Sequence, residues 1–217
     1  MSRQPLKVGH RGAAGHTPEN TLQSVETALS LGVDVVEIDI HLSRDGHLVV
    51  IHDDRVDRTT EGHGYVRDLT LAELQALKVP TVEQVIEMVR RRAALMLELK
   101  VRNITRQLVE LTALTPEVPV FYASFLHSEL LRISELDPAA RTIALLDGVP
   151  VSPAAFATDA QASYAGIAFD SLEPDFVRSL KAAGIGVFTY TLDEPRDIAI
   201  ARALNVDAII SNFPDRL

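Results

Sequence analysis

The sequence predicts a single α/β domain over residues 1–217 that closes as a (β/α)₈ TIM barrel, a parallel sheet with outer helices. Three observations predict it. Short apolar segments of strand length alternate along the chain with amphipathic segments of helical spacing, the pattern of a parallel sheet covered by helices. Roughly eight apolar segments are present, as a closed barrel needs. No linker or low-complexity tract interrupts the series.

The first part of the chain combines two barrel strands with a hairpin. The predicted elements are strand 6–10, a helix with Pro18 near its start and Gly32 at its end, strand 35–42, hairpin strand 48–52, and helices 71–77 and 81–92. Thr81 is the predicted N-cap of the last of these helices. The region between the hairpin and residue 70 is expected to be irregular.

From residue 95 onward the alternation is regular. The predicted strands are 95–100, 119–125, 142–146, 164–169, 186–191 and 207–211, and the helices between them are 104–114, 128–136, 153–162, 174–183 and 195–204. We expect the last helix of the barrel to be missing or reduced to a stub. An open doubly wound sheet is the alternative fold, and the lack of a glycine-rich phosphate loop after the first strand counts against it.

Composition excludes several classes of function. The net charge is −9 and the pI about 5.2, which argues against general nucleic-acid binding, because a basic surface supplies most of that affinity. The chain has no cysteine, so disulfides and thiolate chemistry are excluded. No segment approaches the length of a membrane span, and residues 1–8 hold no apolar run typical of a signal peptide. We therefore expect a cytoplasmic protein without stable membrane insertion.

The second predicted strand carries charged residues on one face. Side chains alternate along a strand, so Glu37, Asp39 and His41 share a face while the aliphatic residues between them pack against helices. A solvent-exposed strand face is the alternative, but the flanking apolar runs are typical of strands buried on both sides. Two carboxylates so close together in a dry interior need a cation or a shared proton.

A second charged pair ends the strand at 95–100. Glu98 and Lys100 face the barrel interior near the end of the strand where barrel enzymes place their catalytic groups. An internal Glu–Lys ion pair is the alternative interpretation. Together with Glu37 and Asp39, Glu98 forms an all-oxygen cluster that suits one divalent cation, Mg²⁺ or Ca²⁺, with Mn²⁺ as a further candidate.

Histidines end two apolar segments at the same end of the predicted barrel. His10 and Arg11 end the first strand, and His52 ends the hairpin strand. Two imidazoles near neutral pKa can serve as base and acid in phosphoryl transfer. Alone, either histidine would more often be structural than catalytic. For His41 a structural role comes first.

These residues resemble the ordered motifs of the bacterial glycerophosphodiester phosphodiesterases, and the resemblance covers essentially the whole chain. The matching segments are His10-Arg11-Gly12, Pro18-Glu19-Asn20-Thr21, Glu37-x-Asp39, His52-Asp53, Arg58-Thr59-Thr60 and Glu98-x-Lys100, with weaker matches around Ser124-Phe125, Phe188–Thr191 and Val206–Pro214. The resemblance implies a (β/α)₈ barrel that hydrolyses glycerophosphodiesters to an alcohol and glycerol 3-phosphate with a divalent cation. It favours a route through a cyclic phosphate.

The resemblance also assigns expected roles to residues. Its metal ligands are Glu37, Asp39 and Glu98; its acid–base pair is His10 and His52; its phosphate-binding cations are Arg11 and Lys100; and Glu19 and Asn20 support the site. A polar start of a helix is the alternative interpretation of Glu19 and Asn20. The chain departs from the family at Tyr190, where members commonly have Trp, at Asn212, where they often have Asp, and in a short segment at 71–80. These departures bear on substrate choice.

Two other functions stay open from the sequence. A hydrolase of the lysophospholipase D type, or one acting on glycerophosphoinositol, could use the same site, and an apolar channel at the barrel mouth would favour a lipid. A non-catalytic barrel that binds a phosphorylated metabolite is the third hypothesis, favoured if a metal ligand or a paired histidine were lost. The sequence does not determine the head group, the physiological metal or the oligomeric state.

Overall fold

The computed structural model describes residues 4–217, and its sheet is a closed barrel of eight parallel strands. The barrel strands are β1 (Leu6–Gly9), β2 (Val35–Leu42), β4 (Ala94–Leu99), β5 (Val120–Ser124), β6 (Arg141–Leu146), β7 (Tyr164–Ala168), β8 (Gly186–Tyr190) and β9 (Ala208–Ser211). Strand β1 pairs with both β2 and β9, which closes the sheet. A ninth strand, β3 (Leu48–Val50), pairs antiparallel with β2.

Helices connect the strands on the outside of the barrel. They are α1 (Leu22–Ser30), α2 (Leu71–Ala76), α3 (Val82–Val89), α4 (Thr105–Ala113), α5 (His127–Leu136), α6 (Ala155–Asp159), α7 (Pro174–Ala182) and α8 (Pro195–Ala203). After β9 the chain makes only a single 3₁₀ turn at Pro214–Arg216. The predicted barrel, its hairpin and its reduced last helix are therefore confirmed. The single-domain assignment over 1–217 stays a prediction, and residues 1–3, part of the segment searched for a signal peptide, lie outside the described residues.

Three helices differ from the prediction by two or more residues at an end, and one of them is α6, which spans Ala155–Asp159 and not 153–162. Pro18 lies ahead of α1, whose N-cap is Thr21; its hydroxyl accepts from the main-chain N–H of Ser24. The third helix ends at Val89, not at residue 92, because Arg90 leaves the helical conformation. Its start agrees with the prediction, since Thr81 forms a reciprocal capping box with Gln84.

The barrel separates two apolar layers. The larger layer lies between strands and helices and includes Val36, Ile38 and Ile40 of β2. The smaller one fills the barrel interior, where Val8, Val35, Met96, Phe121, Ala123, Ile143, Leu145, Phe188, Ala208 and Ile210 are buried. As alternation requires, the interior residues of β2 change from apolar to charged toward its C-terminal end. The charged residues therefore lie next to a layer of buried apolar side chains inside the barrel.

A small third core supports the segment between β2 and β4. Val49, Ile51, Val56, Val66, Leu74 and Val79 pack together beneath it. Thr70 caps α2 through a second capping box with Glu73. The insertion beside the barrel mouth therefore has a small apolar core of its own. Within residues 4–217, no helix combines the length and apolarity needed to cross a membrane.

Candidate active site

Strand register brings three carboxylates together inside the barrel. Asp39 lies opposite Glu98 in the parallel pairing of β2 with β4, and Glu37 lies two residues earlier on the same face as Asp39. One ligand oxygen from each of the three lies within 4.8 Å of the others. Glu37 and Asp39 are 2% and 1% exposed and so are shielded from water, while Glu98 is only partly buried.

One oxygen of each carboxylate is held by a neighbouring donor. Glu37 Oε2 accepts from the main-chain N–H of Arg11 at 2.7 Å, and Asp39 Oδ2 accepts from Asn20 Nδ2 at 2.8 Å. Glu98 Oε1 accepts from Lys100 Nζ at 2.6 Å. The second oxygen of Glu37, Oε1, is buried without a hydrogen-bond partner among residues 4–217.

The electrostatics of the cluster favour a cation. Burial, followed by the charges of Asp39 and Glu98, raises the pKa of Glu37 well above its ordinary value. Burial and Asp39 likewise raise the pKa of Glu98, against the opposing effect of Lys100. Hard, compact carboxylate oxygens are the ligands that Mg²⁺, Ca²⁺ and Mn²⁺ prefer. The donor set and the unpartnered Glu37 oxygen therefore fit a divalent metal ion.

Two side-chain cations border the cluster. Arg11 Nε lies 3.3 Å from Asp39 Oδ2, and Lys100 Nζ lies 3.6 Å from Asp39 Oδ1. Although burial acts to lower it, the pKa of Lys100 is raised by Glu98 and Asp39. In the same way Asp39, Glu19 and Glu37 outweigh burial and raise the pKa of Arg11. Both side chains thus stay charged beside the carboxylates.

His10 follows β1 at the C-terminal end of the barrel. Its Nδ1 lies 2.7 Å from Asn212 Oδ1, and its main-chain N–H donates to the carbonyl of Ser211 at 2.9 Å. Burial, then the charge of Arg11, lowers the pKa of His10. A neutral imidazole is the form that can accept a proton.

His52 follows β3 on the inserted segment. Its Nδ1 lies 2.7 Å from Asp53 Oδ1. A carboxylate oxygen can only accept a hydrogen bond, so Nδ1 donates and Nε2 is the ring nitrogen left for other contacts. His52 directly follows Ile51, whose main-chain N–H donates to the Asp39 carbonyl at 3.0 Å. The two histidines therefore border the cluster from different elements, one from the barrel and one from the insertion.

Glu19 links the loop before α1 to the insertion. It accepts from Arg11 at 2.7 Å and from both terminal nitrogens of Arg58 at 2.7 and 2.9 Å, while Arg58 also binds Asp53. Burial acts to raise the pKa of Glu19, but the bonds from Arg58 and Arg11 lower it to about 2. Asn20, with a left-handed φ of 56°, is the donor to Asp39. Neither residue belongs to a helix.

His41 lies two residues after Asp39 in β2, on the same face by strand alternation. It is buried, and its Nε2 lies 3.1 Å from the carbonyl oxygen of His52. Burial lowers its pKa. This contact ties β2 to the end of the hairpin strand and agrees with a structural role.

The sequence did not reveal the residues that hold the two histidines. Asp53, Arg58 and Asn212 lie inside segments that match the family, but the sequence did not show what they contact. Asp193 lies in none of the matching segments. Asp193 lies three residues after β8 and Asn212 directly after β9. Their positions at the C-terminal ends of adjacent barrel strands were the available signal.

The rim of the barrel mouth differs from one side to the other. On the side of the insertion, a cavity of about 800 Å³ is bordered by His52, Glu19, Arg58 and Leu77. On the side of β5 and β6, Phe125 stacks edge-on against Tyr190 at 6.2 Å, and Phe125, Val149 and Val151 are exposed. The Tyr190 hydroxyl donates to the carbonyl of Leu146. Charged side chains therefore border the mouth on the insertion side, and exposed apolar side chains lie on the other lip.

Comparison with known proteins agrees with this geometry. A model of the glycerophosphoryl diester phosphodiesterase family matches residues 10–216. A glycerophosphodiester phosphodiesterase of Caldanaerobacter subterraneus subsp. tengcongensis is 31% identical over 232 residues, covering 98% of this chain and 96% of that protein.

Solved structures have the same fold. An Oleispira antarctica phosphodiesterase in complex with the product sn-glycerol-3-phosphate superposes with a TM-score of 0.88 at 27% identity, covering 98% of this chain and 94% of that one. A glycerophosphodiester phosphodiesterase from Agrobacterium tumefaciens gives 0.85 at 27% identity, with 98% of each chain covered. On its sequence and its fold, this chain belongs to the glycerophosphoryl diester phosphodiesterase family.

Proposed function

We propose that this protein hydrolyses glycerophosphodiesters to an alcohol and glycerol 3-phosphate, using His10 and His52 as the acid–base pair. The observation that supports the proposal is that each histidine adjoins a residue bonded to the carboxylate cluster: His10 precedes Arg11, which donates to Glu37, and His52 follows Ile51, which donates to Asp39. The product bound to the Oleispira antarctica relative supports the glycerol 3-phosphate half of the substrate.

Glu37, Asp39 and Glu98 would hold one divalent cation, Mg²⁺, Ca²⁺ or Mn²⁺. When bound, such a cation supplies Lewis-acid stabilisation of charge on the phosphoryl oxygens. Asn20 and the main-chain N–H of Arg11 would orient two of these carboxylates, because each holds one oxygen by a hydrogen bond. Glu19 in turn holds the Arg11 side chain, so the supporting residues act through their neighbours.

Arg11 and Lys100 would bind the phosphate group. A phosphodiester carries one negative charge, and that charge grows toward the transition state. Fixed cations stabilise the added charge without reorganising, a contribution of roughly 2–4 kcal/mol for a well-placed donor. Both side chains are held in place by ion pairs with carboxylates.

The histidines would move the protons in two steps. In the first, His10 Nε2 takes the proton of the substrate's glycerol 2-hydroxyl, whose oxygen forms a bond to phosphorus. The bond from phosphorus to the alcohol oxygen breaks, and His52 Nε2 protonates the departing alcohol. In the second, His52 takes a proton from water, which opens the cyclic phosphate, and His10 returns its proton to the glycerol oxygen. The tethered hydroxyl has the high effective concentration of an intramolecular nucleophile.

The direct test is release of glycerol 3-phosphate from a panel of glycerophosphodiesters with choline, ethanolamine, glycerol or inositol head groups. Each substrate is assayed with Mg²⁺, Ca²⁺ or Mn²⁺ on the parent protein and on His10→Ala and His52→Ala. We expect turnover by the parent and none by either variant, with metal binding kept. Binding of glycerol 3-phosphate without turnover of any diester would instead support the non-catalytic barrel.

A second candidate substrate is a lysophospholipid. The exposed Phe125, Val149 and Val151 on one lip of the mouth favour it, because an acyl chain could lie there while its phosphodiester reaches the same site. The test is release of the head group from lysophosphatidylcholine by the parent and by a Val149→Ser/Val151→Ser variant. Selective loss of lysophospholipid turnover in the variant would support this substrate. Equal turnover of lysophosphatidylcholine by both proteins would show that the acyl chain does not bind at Val149 and Val151.

A further inference from the structure

A chain of hydrogen bonds runs from Asp193 through Asn212 to His10. Asn212 Nδ2 donates to Asp193 Oδ2 at 2.7 Å, and Asn212 Oδ1 lies 2.7 Å from His10 Nδ1. Asp193 follows β8 and Asn212 follows β9, so the chain crosses the edge of the barrel mouth beside the proposed base. Asn212 is thus held from both sides.

The orientation of Asp193 is fixed by its other oxygen. Asp193 Oδ1 accepts from the main-chain N–H of Asn212 at 2.8 Å and from Ser211 Oγ at 2.9 Å. Its Oδ2 is therefore directed at the side chain of Asn212. Because a carboxylate oxygen only accepts, the amide nitrogen of Asn212 must face Asp193 and the amide oxygen must face His10.

The same reasoning determines which nitrogen of His10 carries the proton. An amide oxygen only accepts, so His10 Nδ1 must donate to Asn212. In a neutral imidazole the lone pair then lies on Nε2. That is the tautomer a base needs if the substrate meets Nε2.

We infer that Asp193 is a positioning residue, which acts through Asn212 to keep His10 in the Nδ1–H tautomer. This inference rests on the proposed role of His10 as base. His52 is held differently, since Asp53 contacts its Nδ1 directly. One histidine therefore meets a neutral amide and the other a carboxylate, an asymmetry that suits different roles in the first step.

The decisive variant is Asp193→Asn. The main-chain N–H of Asn212 and the hydroxyl of Ser211 retain the new amide's oxygen at the Oδ1 position, which puts its nitrogen at the Oδ2 position. Two amide nitrogens would then face each other, so the Asn212 amide turns over to accept. Its nitrogen now donates toward His10, and the imidazole proton moves to Nε2.

Two measurements read this change. In protein labelled with ¹⁵N-histidine, the ring-nitrogen chemical shifts of His10 report the tautomer directly; we expect Nδ1–H in the parent and Nε2–H in Asp193→Asn. We expect kcat to fall on the order of 10²–10⁴-fold, the contribution of a general base, with little change in KM. Arg216→Met is the matched control, because it removes the bond to the Asp193 carbonyl but leaves the side-chain relay.

The double variant Asp193→Asn/Asn212→Asp should restore the parent tautomer. The new amide at position 193 donates to the new carboxylate at 212, which accepts from His10 Nδ1. We expect Nδ1–H to return and kcat to recover at least tenfold over the single variant. If Asp193→Asn fails to fold, Asn212→Ala removes the acceptor alone, and the Nε2–H form should then appear.

Retention of the Nδ1–H tautomer in Asp193→Asn and Asn212→Ala would overturn the inference. A flipped tautomer with parent kcat would overturn the catalytic part of it. The spectra need no turnover, so they separate this inference from the proposed function. If His10→Ala keeps full activity, the acid–base assignment fails whatever the spectra show.

Discussion

The main-chain N–H of Arg11 donates a 2.7 Å hydrogen bond to the side chain of Glu37, joining the residue after His10 to the acidic cluster. Arg11 has a left-handed φ of 51°, and the next N–H, of Gly12, donates to the Glu37 carbonyl at 3.1 Å. The turn after β1 therefore fixes the carboxylate and the histidine in one geometry. The turn thus holds the proposed base and one proposed metal ligand in a fixed relative position.

The metal proposal predicts that Glu37→Gln lowers the activity but does not lower the Tm of the metal-free protein. Activity should fall by at least about 10²-fold, because a charged ligand is lost. The metal-free protein should keep or raise its Tm, since burial and two neighbouring carboxylates disfavour the Glu37 charge without a cation. The Tm increase that Mg²⁺ or Mn²⁺ gives the parent should disappear. Glu110→Gln, exposed on α4, is the matched control. Full activity after exhaustive chelation would contradict the metal requirement.

The phosphate proposal predicts a strong effect of Lys100→Met. The side chain stays charged between Glu98 and Asp39, so its loss removes a fixed cation near the phosphate. A contribution of roughly 2–4 kcal/mol corresponds to a fall in kcat/KM of about 30- to 1,000-fold. Lys181→Met on α7 is the control. Unchanged kcat/KM in Lys100→Met would leave Lys100 as an ion-pair partner of Glu98 only.

The lowered pKa of Glu19 predicts that this residue's contribution to the free energy of unfolding depends on pH. Its pKa is about 2 in the folded protein against an ordinary 4.5, so the stabilisation is present above pH 4.5 and is lost as pH falls toward 2. The Tm difference between the parent and Glu19→Gln should be largest near neutral pH and should narrow from pH 4.5 downward. Thermal denaturation from pH 7 to 3 measures it. A difference that stays constant across that range would show that Glu19 gains nothing from its two arginines.

The route through the substrate hydroxyl predicts that a 2-deoxy glycerophosphodiester resists cleavage. It lacks the intramolecular nucleophile but keeps the phosphate, so it should act as a competitive inhibitor. Turnover of the deoxy substrate and its parent is compared at matched metal concentration, together with a search for the cyclic phosphate. Hydrolysis of both at similar rates would transfer the role of nucleophile to water.

The wide cavity beside His52 predicts weak choice among head groups. The cavity of about 800 Å³ is open to solvent on one side, so a choline or ethanolamine group in it would keep contact with water. We expect kcat/KM to differ by less than about a hundredfold among choline, ethanolamine, glycerol and inositol diesters, roughly 2.7 kcal/mol. A larger preference would show that loops around the mouth read the head group.

Local pattern was enough to identify the barrel and most of the proposed site. Alternation along β2 put Glu37 and Asp39 on one face, and the polarity of parallel strands put Glu98 and Lys100 at the same end, since both follow from backbone geometry alone. The N-cap at Thr81 was also predicted correctly, because a cap is a contact between residues three apart, and the structure adds the reciprocal bond from Gln84. Helix ends were less certain, as Pro18 and Arg90 illustrate.

Only the tertiary structure decided how the charges are partnered. Glu19 meets Arg58 across 39 positions of sequence, and His10 meets Asn212 across 202. No periodicity encodes such pairs, because closure of the barrel and packing of the insertion bring them together. The sequence by itself therefore determined which chemical groups face the barrel mouth. The tertiary structure decided which hydrogen-bond partner each group has, and with it the tautomer and charge that the proposed chemistry depends on.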